Sequence, residues 1–271
     1  MAVVTGAASG IGRALAVQLA EKGCHLALVD WNGAALEEVA TSLRAGGRRV
    51  TAHVVDVSNR VAVGELAREV ISLHGECHVL VNNAGVAVDA RIEDVTPEDF
   101  EWIVGVNFWG VVHGCKAFLP HLRRVDEAHI VNVSSVFGLI GVPRNGPYCA
   151  TKFAVRGFSE ALWTELQGTN VGVTCVHPGG VRTNIVQNAR LADEQERATI
   201  VREFGKAARM SPETAAANIV TAIERNSARL RLGPETYAMD WLKRLAPVGT
   251  QRLVGWFTVR AERRLRTSSP G

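Results

Sequence analysis

Five cysteines stand among the 271 residues, at positions 24, 77, 115, 149 and 175, odd in number and with no Cys-x-x-Cys spacing. Neither a disulfide framework nor a thiolate metal site suits that scatter, so a reducing, cytoplasmic setting is the expectation and no metal is anticipated. No run of about eighteen apolar residues occurs, which argues against a spanning helix, and the opening MAVVTG lacks the basic region and long apolar core of an export signal. Excess charge is scarce too: the formal net charge is +3, and residues 241–271 hold seven Lys or Arg against one acid, leaving +6 in the tail and −3 elsewhere. No nucleic-acid partner is expected from that balance. What remains, 47% hydrophobic and 21% charged, is the composition of a soluble globular chain with a full core.

Short apolar runs at 2–5, 25–30, 49–55, 78–81, 129–133, 171–177 and 229–232 alternate with helical patterns at 11–21, 33–45, 60–74, 97–122, 148–167 and 212–225. That alternation predicts βαβ units, hence an α/β, Rossmann-like, doubly wound sheet of seven mainly parallel strands with helices on both faces. Residues 1–233 are expected to form one dinucleotide-binding and catalytic domain, with 181–210 as a charged insertion of the length usual for a functional lid. Residues 234–271 read as a basic extension of two helices, the second amphipathic, and not as an independent domain.

The first βα turn reads TGAASGIG, with glycines at 6, 10 and 12 between an apolar strand and a helix. Small residues there let backbone N–H groups and a positive helix end approach a pyrophosphate. Asp30 closes the second strand, where a carboxylate can accept from a ribose diol and would repel a 2′-phosphate; this favours NAD over NADP, although Asp30 also suits the start of the turn WNG. Asp56, ending the third strand, could accept from an adenine amino group or simply precede a helix cap. The stretch GPYCATK places a tyrosine and a lysine one helical turn apart on one face.

With NNAG at 82–85, SSVFGLIGVPRNGPYCATK at 134–152 and HPGGVRTN at 177–184 in this order, the chain resembles the short-chain dehydrogenase/reductase family over about 2–233. The resemblance implies a catalytic Ser135, thirteen residues before the tyrosine and so chosen over Ser134, with Tyr148, Lys152 and the helical Asn107. It implies cofactor contacts from Gly6, Ser9, Gly10, Ile11, Gly12, Asp30, Asp56, Val57, Asn83, Ala84, Gly85, Tyr148, Lys152, Pro178, Gly179, Val181 and Thr183. Lys152 would bind the nicotinamide ribose and Asn107 would hold a water linking that lysine to solvent. Thr151, where serine is also common, and the short first strand depart from the family pattern.

Chemically, an alcohol oxidation needs a base, and a free tyrosine with pKa about 10 is mostly protonated at neutrality. Lys152 and an oxidised nicotinamide are both expected to pull Tyr148 toward phenolate, while Ser135 clamps the substrate oxygen. His177 is expected to be structural, and Cys149 to pack. Val86, Ala87, Val88, Val136, Phe137, Leu139, Ile140 and Val142 are expected to line an apolar substrate cleft, with no cation in these segments evidently waiting for a carboxylate and Arg144 and Arg190 left open as alternatives. The reading is an NAD(P)-dependent interconversion of a lipophilic secondary alcohol and its ketone, steroid-like, fatty or terpenoid, in a homodimer or homotetramer. An NADPH-dependent carbonyl or 3-oxoacyl reductase, or a non-catalytic dinucleotide sensor, are the alternatives. The tail, with Arg263, Arg264 and Arg266 beside Trp256 and Phe257, is taken as a solvated face, with a membrane or partner surface as the second choice.

Overall fold

The computed structural model describes residues 1–267, with side chains as far as Thr258 and again at Arg260. Seven strands form one sheet: β1 (Ala2–Thr5), β2 (Leu26–Asp30), β3 (Val50–Val54), β4 (Val79–Asn82), then, after a two-residue β5 (Val88–Asp89), β6 (Ala128–Val133), β7 (Val171–Pro178) and, after a two-residue β8 (Arg190–Leu191), β9 (Arg229–Leu232). The order is β3-β2-β1-β4-β6-β7-β9 and every pairing is parallel. Strands β1, β2 and β6 are buried at every residue, as a sheet covered on both faces requires.

Alternate residues feed two cores. Ala2 and Val4 face a cluster with α1 (Gly10–Glu21), α2 (Gly33–Ala45) and α8 (Pro212–Glu224), while Val3 faces one with α3 (Arg60–His74), α5 (Gly110–Leu122) and α6 (Gly146–Glu165). Local sequence sets the helix starts: Asn32 accepts from Ala35 N–H at α2, Asn59 from Val61 and Ala62 N–H at α3, and Ser211 with Pro212 opens α8. Between β4 and β6 a buried amide chain crosses the layer, Asn82 Nδ2 donating to Asn132 Oδ1 at 2.9 Å and Asn132 Nδ2 to Ser159 Oγ at 3.0 Å. The sheet's order reverses between β1 and β4, so their carboxyl ends open the crevice in which such folds seat ligands.

The helix expected over 97–122 is not uniform. It runs as α4 (Pro97–Val104), a π-helical turn at Gly105–Trp109, and α5. Glycines at both ends permit it, because a Cβ at Gly105 would stand 3.2 Å from Ser58 Cβ and one at Gly110 2.7 Å from Val57 Cγ2. The wider turn carries Asn107 inward.

The insertion is closed at its base by a bridge between Val181 and Met210, with Met210 N–H donating to the Gly180 carbonyl at 3.2 Å. Farther out, β5 pairs with β8, and α7 (Arg197–Ala207) completes the insertion. Helix α9 (Pro234–Leu245) is tied to β9 through Asp240, whose 4%-exposed carboxylate meets Arg229 at 3.0 Å, Arg231 at 2.9 Å and Arg244 at 3.1 Å. It is followed by α10 (Pro247–Thr267); the side chains of Arg263, Arg264 and Arg266, named above as a solvated face, lie outside the described residues.

Removing one partner of a buried ion cluster leaves the others uncompensated. Asp240→Ala should therefore lower stability by about 3 kcal/mol, read as a fall in the urea midpoint, whereas a loss under about 0.5 kcal/mol would show that the cluster does not hold α9.

Candidate active site

At the open end of β1 the backbone turns so tightly that only glycine fits. Gly6 and Gly10 have φ of 65° and 53°, and a Cβ on Gly12 would stand 2.0 Å from the Gly6 carbonyl oxygen and 2.6 Å from Asn83 Nδ2. The neighbouring strand end secures this cradle: Thr5 Oγ1 donates to the Val81 carbonyl and accepts from Asn83 N–H at 2.9 Å and Ala84 N–H at 3.0 Å, while Asn83 Nδ2 donates to the carbonyls of Thr5 and Gly6. Ser9 sits at the start of α1 with its hydroxyl outside any capping bond, and no acid occupies the helix's first turn. Thr183 reaches over from the insertion, its Cγ2 3.0 Å from where a Gly10 Cβ would lie. The residues thus fit a pyrophosphate, which needs close backbone approach and a positive helix end.

Asp30 is buried and fixed, Oδ2 accepting from Ala8 N–H and Oδ1 from Asn32 N–H, both at 3.0 Å. Asp56 is exposed on the cleft and turns the chain toward α3, accepting from Ser58 N–H at 2.9 Å, as its reading beside the helix cap expects. Ile11, Val57, Gly85, Pro178, Gly179 and Val181 line the same cleft of about 1530 Å³.

The four residues read as catalytic come together beside this cleft. Lys152, 3% exposed, donates from Nζ to the Val133 carbonyl at 3.0 Å and stands 5.6 Å from the Tyr148 ring centroid. Ser135 Oγ accepts from Phe137 N–H at 3.1 Å, capping a short 3-10 turn, and its hydroxyl also lies against the Tyr148 phenol. Ser134 is different: its hydroxyl donates to the Lys152 carbonyl at 2.8 Å and holds α6 to the sheet. Asn107, fully buried, accepts from Val86 N–H at 2.8 Å and donates to the Val86 carbonyl at 2.9 Å and to Thr151 Oγ1 at 3.3 Å. Its amide braces the backbone after NNAG, and a Cβ on Gly85 would lie 3.4 Å from both Asn107 Oδ1 and Lys152 Nζ.

Electrostatics correct one expectation. Burial pushes the Tyr148 phenol up to about 12, and the downward pull from Ser135 does not offset it. Burial likewise pulls Lys152 down to about 8. In the protein's own field both groups are driven toward their neutral forms. His177 is fully buried at the end of β7, pairs through Nδ1 with the Ser135 carbonyl at 3.2 Å, and is pulled by burial to about 4, so it stays neutral. Cys149 is a buried thiol pushed up by burial.

The cleft walls correct a second expectation. Val86, Ala87, Val136 and Phe137 line it, but Val88, Leu139, Ile140 and Val142 do not, the first three being no more than 3% exposed and consumed by packing. Their places are taken by Trp102 and Val106 around the π-helical turn and by Ile185, Val186, Ile200 and Phe204 of the insertion. Adjacency to a motif in sequence is no guide to which side chains face a cavity closed by a distant segment. Arg144 also lines the cleft, held by Asp89 at 2.7 Å and by Glu196, and Arg190 is bound to Asp99 at 2.7 Å and stacked 3.8 Å over Trp102. Glu235, beyond the expected domain boundary, accepts from Gly180 N–H at 3.1 Å and faces the cleft; its one sequence signal is the Gly-Pro-Glu start of α9.

Comparison with known proteins settles the family. The short chain dehydrogenase family matches residues 1–194. This chain is a short-chain dehydrogenase/reductase. A Mycobacterium tuberculosis protein named as an oxidoreductase, SadH, is 44% identical over 94% of this chain and 93% of its own. A Bacteroides thetaiotaomicron 3-ketodihydrosphingosine reductase is 36% identical over 70% of this chain and 67% of its own. Among solved structures, a short-chain dehydrogenase/reductase from Burkholderia phymatum in complex with NAD superposes with a TM-score of 0.84 at 33% identity, covering 90% of this chain and 92% of the other. As a member of this family, the dehydrogenase is an NAD(P)-dependent oxidoreductase acting on CH–OH groups and takes a nicotinamide dinucleotide.

Lysine's depressed value makes its charge a stability cost. Below about 8 the ammonium is charged in both folded and unfolded chains and the full cost is present; between about 8 and 10.5 only the unfolded chain holds the proton, and stability recovers with pH. Lys152→Met should thus be more stable than the parent at pH 7, by up to about 3 kcal/mol, with the gap narrowing toward pH 10 in urea titrations. A variant less stable at pH 7 would overturn this account.

Proposed function

We propose that the enzyme interconverts a lipophilic secondary alcohol and its ketone with NAD. The observation that carries the substrate reading is the apolar wall of Val86, Trp102, Phe137, Ile200 and Phe204 in the cleft that Tyr148 and Ser135 face. Arg144 and Arg190 are engaged by Asp89, Glu196 and Asp99, which leaves neither for a substrate carboxylate. The Bacteroides relative, named for reduction of a lipid ketone, agrees with that preference.

The preference for NAD rests on Asp30. Two backbone amides hold its carboxylate at the cleft, and the next residues, Trp31 and Asn32, bring no cation to balance a 2′-phosphate. Bound nicotinamide supplies the hydride acceptor in oxidation, the donor in reduction, and a positive charge in its oxidised form. Ser135 would hold the substrate oxygen through its hydroxyl, and Tyr148 Oη would take that oxygen's proton in oxidation or return one in reduction. Because burial holds the phenol at about 12, the oxidative rate should rise with pH, while reduction uses the protonated form already prevalent at neutrality. Lys152 would orient the cofactor ribose and Asn107 a water on the path to solvent.

Residues 1–233 serve as one catalytic domain in this reading, with 234–271 as its extension. The exposed Trp109, Phe153 and Trp163 on the α5 and α6 side give a homodimer or homotetramer an apolar face to bury. The five unpaired thiols suit the cytoplasm.

Tyr148→Phe should reduce turnover of apolar secondary alcohols by at least about 10³-fold while NADH fluorescence titration shows retained cofactor binding; an unchanged rate would refute the role. In a separate titration NAD should bind about 10-fold or more tighter than NADP, and Asp30→Ala should narrow that ratio. Tighter NADP binding by the parent would favour the carbonyl reductase reading.

A further inference from the structure

The reaction makes no use of the outer face of α9 and α10, and that face is unusual. Tyr237, Trp241 and Leu245 recur every four residues on α9, and Val248, Trp256 and Phe257 continue along α10, all between 44% and 79% exposed. Helix α10 is anchored near its start, where Thr250 is buried and Gln251 Nε2 donates to the Gly141 carbonyl at 2.9 Å; Phe257, two turns beyond Thr250, lies at the edge of that side and Trp256 stands about 100° away from it. Thr258, next to Phe257, lines the catalytic cleft. Exposed aromatic side chains, Trp256 and Phe257, therefore stand on the helix that borders the cleft, near Trp241 and Leu245 of α9, while the Tyr237 ring is covered by the Arg231 guanidinium at 4.3 Å.

Charge decides what could cover this face. Arg252 and Arg260 are exposed among these aromatics, Arg260 lying 5.2 Å over the Trp256 ring. Residues 241–271 carry seven basic side chains against one acid. A second copy would bring a like charge to this face, whereas an anionic lipid surface offers acyl boundary for the aromatics and phosphates for the arginines. We propose that this face docks the enzyme on anionic phospholipid, with the cleft beside the bilayer so that apolar substrates pass from lipid to the site. The passage of substrate rests on the lipophilic reading above; the docking itself does not.

The test is sedimentation of the full chain with vesicles of phosphatidylcholine alone and of phosphatidylcholine with phosphatidylglycerol, over a salt series and without substrate. Binding to the anionic vesicles that weakens as salt rises is expected. Trp256→Ala with Phe257→Ala, and separately Arg252→Glu with Arg260→Glu, should each weaken it about tenfold or more, with NADH binding unchanged as the check on folding. An equal unbound protein fraction with and without anionic vesicles would overturn the proposal. So would loss of a dimer in the aromatic variant when the parent binds no vesicles, which would give the face to a second copy. Failure of the substrate reading would appear elsewhere, as absent turnover of apolar alcohols by a chain that still binds vesicles.

Discussion

A lysine ammonium almost without access to water is the constraint around which this end of the sheet is built. Lys152 donates from Nζ to the Val133 carbonyl, and α6 must be held at a fixed depth for that contact to exist. Ser134 supplies the hold by bonding the Lys152 carbonyl, and the absence of a side chain at Gly138 permits it, since a Cβ there would lie 2.3 Å from Ser134 Oγ and 2.7 Å from the Lys152 carbonyl oxygen. The same depth places Tyr148 against Ser135 and lets Thr151 reach Asn107. A buried cation thus sets the position of its helix, and the helix sets the site.

A single buried environment also divides the labour of the two titratable groups. It raises the phenol and lowers the ammonium, so in the protein alone the pair is close to a neutral acid beside a weakly held cation. Chemistry that needs a phenolate there would gain from a positive charge brought by the cofactor. That gain would link proton transfer to cofactor occupancy, a coupling that a surface Tyr-Lys pair at the same spacing would lack.

Much of the scaffold was legible because its signals are local. Short apolar runs marked each strand of the sheet, the glycines at 6, 10 and 12 marked the phosphate turn, and the spacing from Ser135 through Tyr148 to Lys152 survives as proximity in space. What escaped depends on chain segments far apart in sequence. The π-helical turn sets Asn107 against Val86, a partner twenty-one residues earlier in the chain, and nothing in the periodicity of 97–122 announces it. Arg144, open in the sequence as a partner for a substrate carboxylate, is taken up by Asp89 and Glu196 from distant segments, and its φ of 65° is a conformation more usual for glycine. Glu235 lay past the last matched motif, yet α9 turns its carboxylate back to Gly180.

The bridge between Val181 and Met210 carries a consequence for how such enzymes diversify. By joining the two ends of a thirty-residue excursion to the rigid sheet, it makes the excursion a cassette whose interior can lengthen, shorten or change composition while its attachment points stay put. Loop closure becomes only slowly more expensive with length, about 0.6 kcal/mol per doubling, so such edits leave the fold nearly indifferent. The cleft wall can then be reshaped by rewriting Ile185, Val186, Ile200 and Phe204, while the positions of Ser135, Tyr148 and Lys152 stay set by the sheet and α6.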